Sequence, residues 1–164
     1  MTPEEKSLIS ADRMKYIKNT ASSRLCYLAI ALDVLYFINL YETDKNFYYQ
    51  LLLGVSVVYN LLFMLFVFLA SEGVKKYRPG YSVLLFAAGA AQVARIFILP
   101  LSAYETFVKA GERAMEAPQF ARAAVWLVLS AVCLVAAGAV NTAKYRKLEA
   151  ARSWQPELSE REED

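Results

Sequence analysis

The chain contains no histidine. That absence removes the commonest general base and the commonest neutral metal ligand, and with them His-ligated zinc and haem. Cysteine is nearly as scarce: Cys26 and Cys133 lie far apart and form no C-x-x-C pair. A disulfide framework is therefore not expected, and small apolar packing is the default for both thiols. The six glycines make neither a G-x-G-x-x-G nor a Walker pattern, so no phosphate loop is encoded. Also missing are a nucleophile–base pair, an H-E-x-x-H helix and an acidic metal box. Only chemistry carried entirely by a bound cofactor would remain. The expectation is a protein that is not an enzyme and holds no cofactor.

What the 164 residues do contain is apolar side chains, at 57%, beside 18 basic and 16 acidic residues. In a soluble protein the two kinds would alternate at helical or strand period. Here they are segregated into long apolar blocks and short charged connectors. The blocks cover about 25–41, 47–70, 81–101 and 123–142, and a hydrocarbon core takes roughly 20 residues of helix. Barrel strands would be about half as long and alternate in polarity. The first block follows mostly polar residues, and Glu42 to Asn46 offers no small-residue cleavage site, so it reads as a retained helix and not a secretory signal. The basic residues form no separate face, so no nucleic acid is expected as a partner.

Orientation follows from where the basic residues sit. The N-terminal segment carries Lys6, Arg13, Lys15, Lys18 and Arg24, the second connector Lys75, Lys76 and Arg78, and the tail Lys144, Arg146, Lys147, Arg152 and Arg161. Against those thirteen, the other side carries only Lys45, Lys109, Arg113 and Arg122. Both termini are expected in the cytoplasm, and the plasma membrane is the expected location. The expected fold is all-α: an integral membrane four-helix antiparallel bundle, N-in and C-in.

Residues 1–23 form a cytoplasmic segment in this scheme, 24–143 the transmembrane domain, and 144–164 a helical extension with an acidic tail. Thr2-Pro3-Glu4-Glu5 combines a capping-box pattern with proline at the first helical position, so a short amphipathic N-terminal helix is expected. Leu101, Tyr104, Phe107, Val108 and Met115 recur at helical spacing in the third connector, with Pro118 closing the run. That spacing predicts an extra helix there, lying in the interface or extending the third span beyond a kink at Pro100. Gly111 on the same face weakens it. Pro156 is expected to end the last helix.

Ionisable side chains are costly inside a membrane and therefore informative. Asp33 in the first span and Arg95 in the third stand out. At the helical rise they sit roughly 13 Å and 21 Å above the inner boundary, a mismatch of about 8 Å. An arginine that leans back toward its own N-terminus can span it. Gln92, one turn below Arg95, and Asn60, near the middle of the second span, complete an expected intramembrane polar cluster. Small or polar stripes accompany it: Cys26, Ala29, Asp33 and Tyr36 on the first span, Ser130, Cys133, Ala137 and Asn141 on the fourth. Such stripes let membrane helices approach closely.

The cluster admits three readings: a neutralising pair that fixes helix register, a charge meeting a partner's helix, or a carboxylate that carries a proton or cation. The leading functional expectation is an accessory or scaffolding subunit of a larger membrane complex. Its alternative is an oligomeric ion- or proton-coupled transporter or channel using Asp33. Partners under either are the lipid bilayer and another membrane subunit or a second copy.

Overall fold

The computed structural model of the protein describes Ile9 and residues 17–40, 47–109 and 112–161. The capping box at Thr2–Glu5 and the first connector over 41–46 lie outside these, as do most residues of the expected N-terminal helix. The elements are α1 (Thr20–Leu40), α2 (Phe47–Lys75), α3 (Gly80–Ile98), the short α4 (Pro100–Glu105), a hairpin of β1 (Phe107–Lys109) with β2 (Glu112–Arg113), and α5 (Ala117–Arg161). Among the described residues, four helices are long and apolar enough to cross a membrane. Their outer faces carry large apolar side chains: Leu61, Leu62, Leu65 and Leu69 of α2 are each more than half exposed. A contiguous apolar face of this kind is untenable in water and ordinary in lipid.

Each helix end has a local cause. Asn19 caps α1, its side-chain oxygen accepting from the Ser22 N–H at 3.4 Å, which satisfies a donor the helix leaves orphaned. Its own N–H donates to the Lys75 carbonyl, tying the start of α1 to the end of α2. The chain leaves α2 through Tyr77, which adopts a left-handed φ of 55°. That conformation is costly for a residue with a Cβ, and the phenol helps hold it by donating to the Ile17 carbonyl at 2.8 Å. Burial pushes the Tyr77 phenol above its ordinary pKa, which keeps it a donor.

The outer connector departs from its expected form. The helix stops at Glu105, Thr106 turns extended, and Phe107 pairs with Arg113 in a hairpin. Thr106-Phe107-Val108 is a run of β-branched and aromatic residues that favours a strand, and this outweighed the helical spacing of Leu101, Tyr104 and Met115. The kink at Pro100 is present, but only α4 follows it. Pro118 does not close the connector; it lies in the first turn of α5, where its missing N–H costs nothing. That helix starts at Ala117 and runs to Arg161, through Pro156, so the expected stop there is also corrected. A single proline removes one backbone hydrogen bond without ending a helix of this length.

Polar contacts fix how the helices run. From one end of α1 to the other, Asn19 meets Asn141, Ser130 meets Ala29, and Asn39 meets Gln119. As residue number rises on α1 it falls on α5, so the two are antiparallel. The same holds for α3 against α5, where Ser82 meets Asn141 and Gln92 meets Ser130. The α5 helix packs along α1 and α3, α1 also packs on α2, and α2 touches α3 much less. Two apolar cores result. One gathers Cys26, Ala29, Val67, Leu85 and Leu134; the other gathers Tyr36, Leu99, Met115, Ala123 and Leu127. Between those cores α1, α3 and α5 each bury polar side chains: Asp33 on α1, Gln92 and Arg95 on α3, and Ser130 on α5.

Candidate functional site

The break between the cores is built from Asp33 of α1, Gln92 and Arg95 of α3, and Ser130 of α5. Asp33 is fully buried. Its Oδ1 accepts from Arg95 Nη1 at 3.1 Å and from Gln92 Nε2 at 3.0 Å. The same Gln92 amide donates to Ser130 Oγ at 3.1 Å, and Ser130 donates to the Ala29 carbonyl at 3.2 Å. Gln92 thus joins three helices through one side chain. The guanidinium lies over two rings, 4.4 Å from the centre of Tyr36 and 4.9 Å from that of Tyr59. A cation between aromatic faces gains electrostatic attraction without a second carboxylate.

The pair neutralises itself where neither charge could be left alone. In a low dielectric an isolated carboxylate or guanidinium is prohibitive, so the ion pair acts as a fastener between α1 and α3. The fastening is incomplete. Asp33 Oδ2, Gln92 Oε1, Arg95 Nη2 and both amide atoms of Asn60 are buried without a hydrogen-bond partner in the protein. An orphaned buried polar group costs roughly 1–3 kcal/mol. Asn60 is buried on α2 as its position suggested, but it is not hydrogen-bonded to the other three. The structure therefore bonds Gln92 and Arg95 to Asp33 and shows Asn60 buried without a hydrogen bond to any of them.

Compared with protein-family models, curated proteins and solved structures, the chain matches none of them.

Two further polar tiers lie at the ends of the bundle. At the end where α1 begins, Asn19 Nδ2 donates to Asn141 Oδ1 at 3.1 Å, Asn141 Nδ2 donates to Ser82 Oγ at 2.8 Å, and Lys144 Nζ donates to Asn19 Oδ1 at 2.8 Å. At the other end, Asn39 and Gln119 exchange side-chain amide to backbone carbonyl bonds, both at 3.0 Å. Sequence reasoning missed Asn19 and Gln119, because polar residues outside the apolar blocks read as connector, and Asn39, because a polar residue near the end of a span needs no buried partner. Tyr59 was missed for another reason: it sits among apolar residues and its part is played by the ring. Its placement one residue before Asn60 is a signal only once Arg95 is known to face α2. Among the described residues no three His, Cys, Asp or Glu side chains gather as a metal group.

Proposed function

We propose that this chain is a multi-pass protein of the plasma membrane, with both termini in the cytoplasm, serving as a non-catalytic accessory or scaffolding subunit of a larger membrane complex. The observation that carries this reading is the disposition of the intramembrane charges. Asp33 and Arg95 are spent on each other and on Gln92 inside the bundle, as suits a body whose task is to hold shape. A second feature supports it. The α5 helix has 45 residues, about 67 Å at the helical rise, more than twice a hydrocarbon core of roughly 30 Å. Its C-terminal part, with Lys144, Arg146 and Lys147, is an arm that reaches well beyond the lipid.

The test is gentle solubilisation of the tagged chain from its native membrane, with and without residues 148–164. A distinct membrane protein should co-isolate stoichiometrically with the full chain and be lost with the shortened one. Recovery of self-association alone would sink the reading. A transport role for Asp33 is the second reading, and the free Oδ2 of its carboxylate favours it as a proton-accepting atom. That reading requires Asp33→Asn to abolish a proton- or ion-coupled flux while the protein remains folded and abundant.

A further inference from the structure

The α2 helix is held against α3 at one end and parted from it at the other. Beside the turn that joins them, the Tyr81 ring packs so closely on Gly73 that a Cβ there would collide with it. Fourteen residues back along α2 and fourteen forward along α3, the Tyr59 ring reaches the Arg95 guanidinium, 4.9 Å from the ring centre. From that level on, a cleft of about 330 Å³ separates the two helices, with Val55 and Ser56 on one side and Ala94 and Ile98 on the other. Two rods joined at a turn and splayed at the far end have the geometry of a hinge.

The same register sets Asn60 level with the polar cluster, one residue past Tyr59 and so beside Arg95. Neither amide atom of Asn60 has a partner, and on the cluster side Asp33 Oδ2, Gln92 Oε1 and Arg95 Nη2 have none. All of these atoms are shut away from water-sized molecules, so neither water nor a ligand reaches them in this arrangement. The missing partners have to come from the protein, by movement. The inventory is complementary: Asn60 brings a donor and an acceptor, while the cluster lacks an acceptor for one nitrogen and donors for two oxygens. In a low dielectric such orphans favour any arrangement that pairs them.

We infer that α2 closes on α3 as a hinged arm about the Gly73–Tyr81 contact, collapsing the cleft and carrying the Asn60 amide into the Asp33–Gln92–Arg95 cluster. On the α3 side the cleft is faced by the small Ala91 and Ala94, which leaves room for α2 to approach. The mouth at Val55 and Ile98 is exposed within membrane-spanning segments, so lipid tails leave as it shuts. The movement is read on the purified chain alone and stands separately from membership of a complex.

Double electron–electron resonance on the full chain in phosphatidylcholine nanodiscs measures the α2–α3 separation. Nitroxides are carried on p-acetylphenylalanine in place of the exposed Val58 and Phe97, which leaves both cysteines native. Two separations are expected in the parent. Asn60→Leu keeps the bulk, removes the amide, and should cut the shorter population about fivefold, the weight of one net hydrogen bond. Ala94→Phe wedges the cleft, should remove the shorter population, and covers failure of the first variant to fold. A single separation in the parent overturns the proposal. A shorter population undiminished in folded Asn60→Leu would mean closure by apolar packing alone, and one undiminished in folded Ala94→Phe would mean a movement outside the cleft. Either result overturns it as well.

Discussion

At Asp33 and Arg95, the two members of a buried pair differ in what each does when left alone. A carboxyl can take up a proton and become neutral; a guanidinium cannot. Arg95→Gln therefore leaves an acid with an escape, and Asp33→Asn leaves a permanent cation among Tyr36, Tyr59 and apolar neighbours. Breaking a buried pair costs about 3–5 kcal/mol. Arg95→Gln is expected at or below the lower end of that range and Asp33→Asn toward the upper end. The double variant should recover most of the loss, because two amides can hydrogen-bond at the same place. Unfolding midpoints in dodecyl sulfate titrations of the four proteins measure this. Equal midpoints throughout would show that the pair contributes nothing to the bundle. Much of this site was legible beforehand, since any charge inside an apolar block demands a partner and the chain offers only one of each sign. The 8 Å offset in depth was within reach of an arginine that leans toward its own N-terminus, and the contact closes at 3.1 Å. The position of Asn60 was legible too; its lack of a bond to the others was not, because sequence gives a helix's stripe and not its distance from a neighbour.

Among the elements, α3 and α5 approach each other closely at Gly89. A Cβ on Gly89 would lie 2.9 Å from Val135 Cγ2 and 3.3 Å from the Ala131 carbonyl, whereas one on Gly54 of α2 would meet nothing within 4 Å. Close approach of small residues supplies packing in lipid, where there is no hydrophobic force between helices. Gly89→Leu should push α3 from α5 and cost about 1–3 kcal/mol, as overpacked cores do. Gly54→Leu should cost nothing and gain up to about 1 kcal/mol from helix propensity. Comparing the two midpoints checks it: if both variants match the parent, the α3–α5 seam is loose enough to accept a side chain at Gly89. The spans themselves were readable because lipid leaves a one-dimensional mark, an unbroken apolar block. The outer connector was not. There helical spacing of Leu101, Tyr104 and Met115 competes with the strand preference of Thr106 and Phe107, and no block length decides between them. The end tiers were equally hidden: Asn39 and Gln119 are 80 residues apart, and their pairing depends on the register of α1 against α5.

For the whole molecule, the remaining asymmetry is charge across the membrane. The N-terminal segment, the α2–α3 connector and the tail carry thirteen basic residues, and the other two connectors with the start of the last helix carry four. Contacts within the bundle agree with a common side for the first three. Asn19 before α1, Arg78 before α3 and Lys144 toward the end of α5 are drawn into one hydrogen-bonded tier. Asn39 and Gln119 close the opposite end. The bundle therefore has one basic end and one less basic end, and the proposed direction follows from the retention of basic residues on the cytoplasmic side. A fluorescent protein fused after Asp164 should fold and glow, since it folds only in the cytoplasm, and alkaline phosphatase inserted in the β1–β2 turn should be active, since it matures only outside. Moving the bias should move the result. Replacing Lys144, Arg146 and Lys147 by glutamine, and adding three lysines to the 41–46 connector, should produce a mixed population by both reporters. An unchanged single orientation would mean that something other than the basic residues sets it. A dark C-terminal fusion on the unaltered chain would reverse the assigned sides altogether, and the α5 arm would then have to find its partner outside the cell.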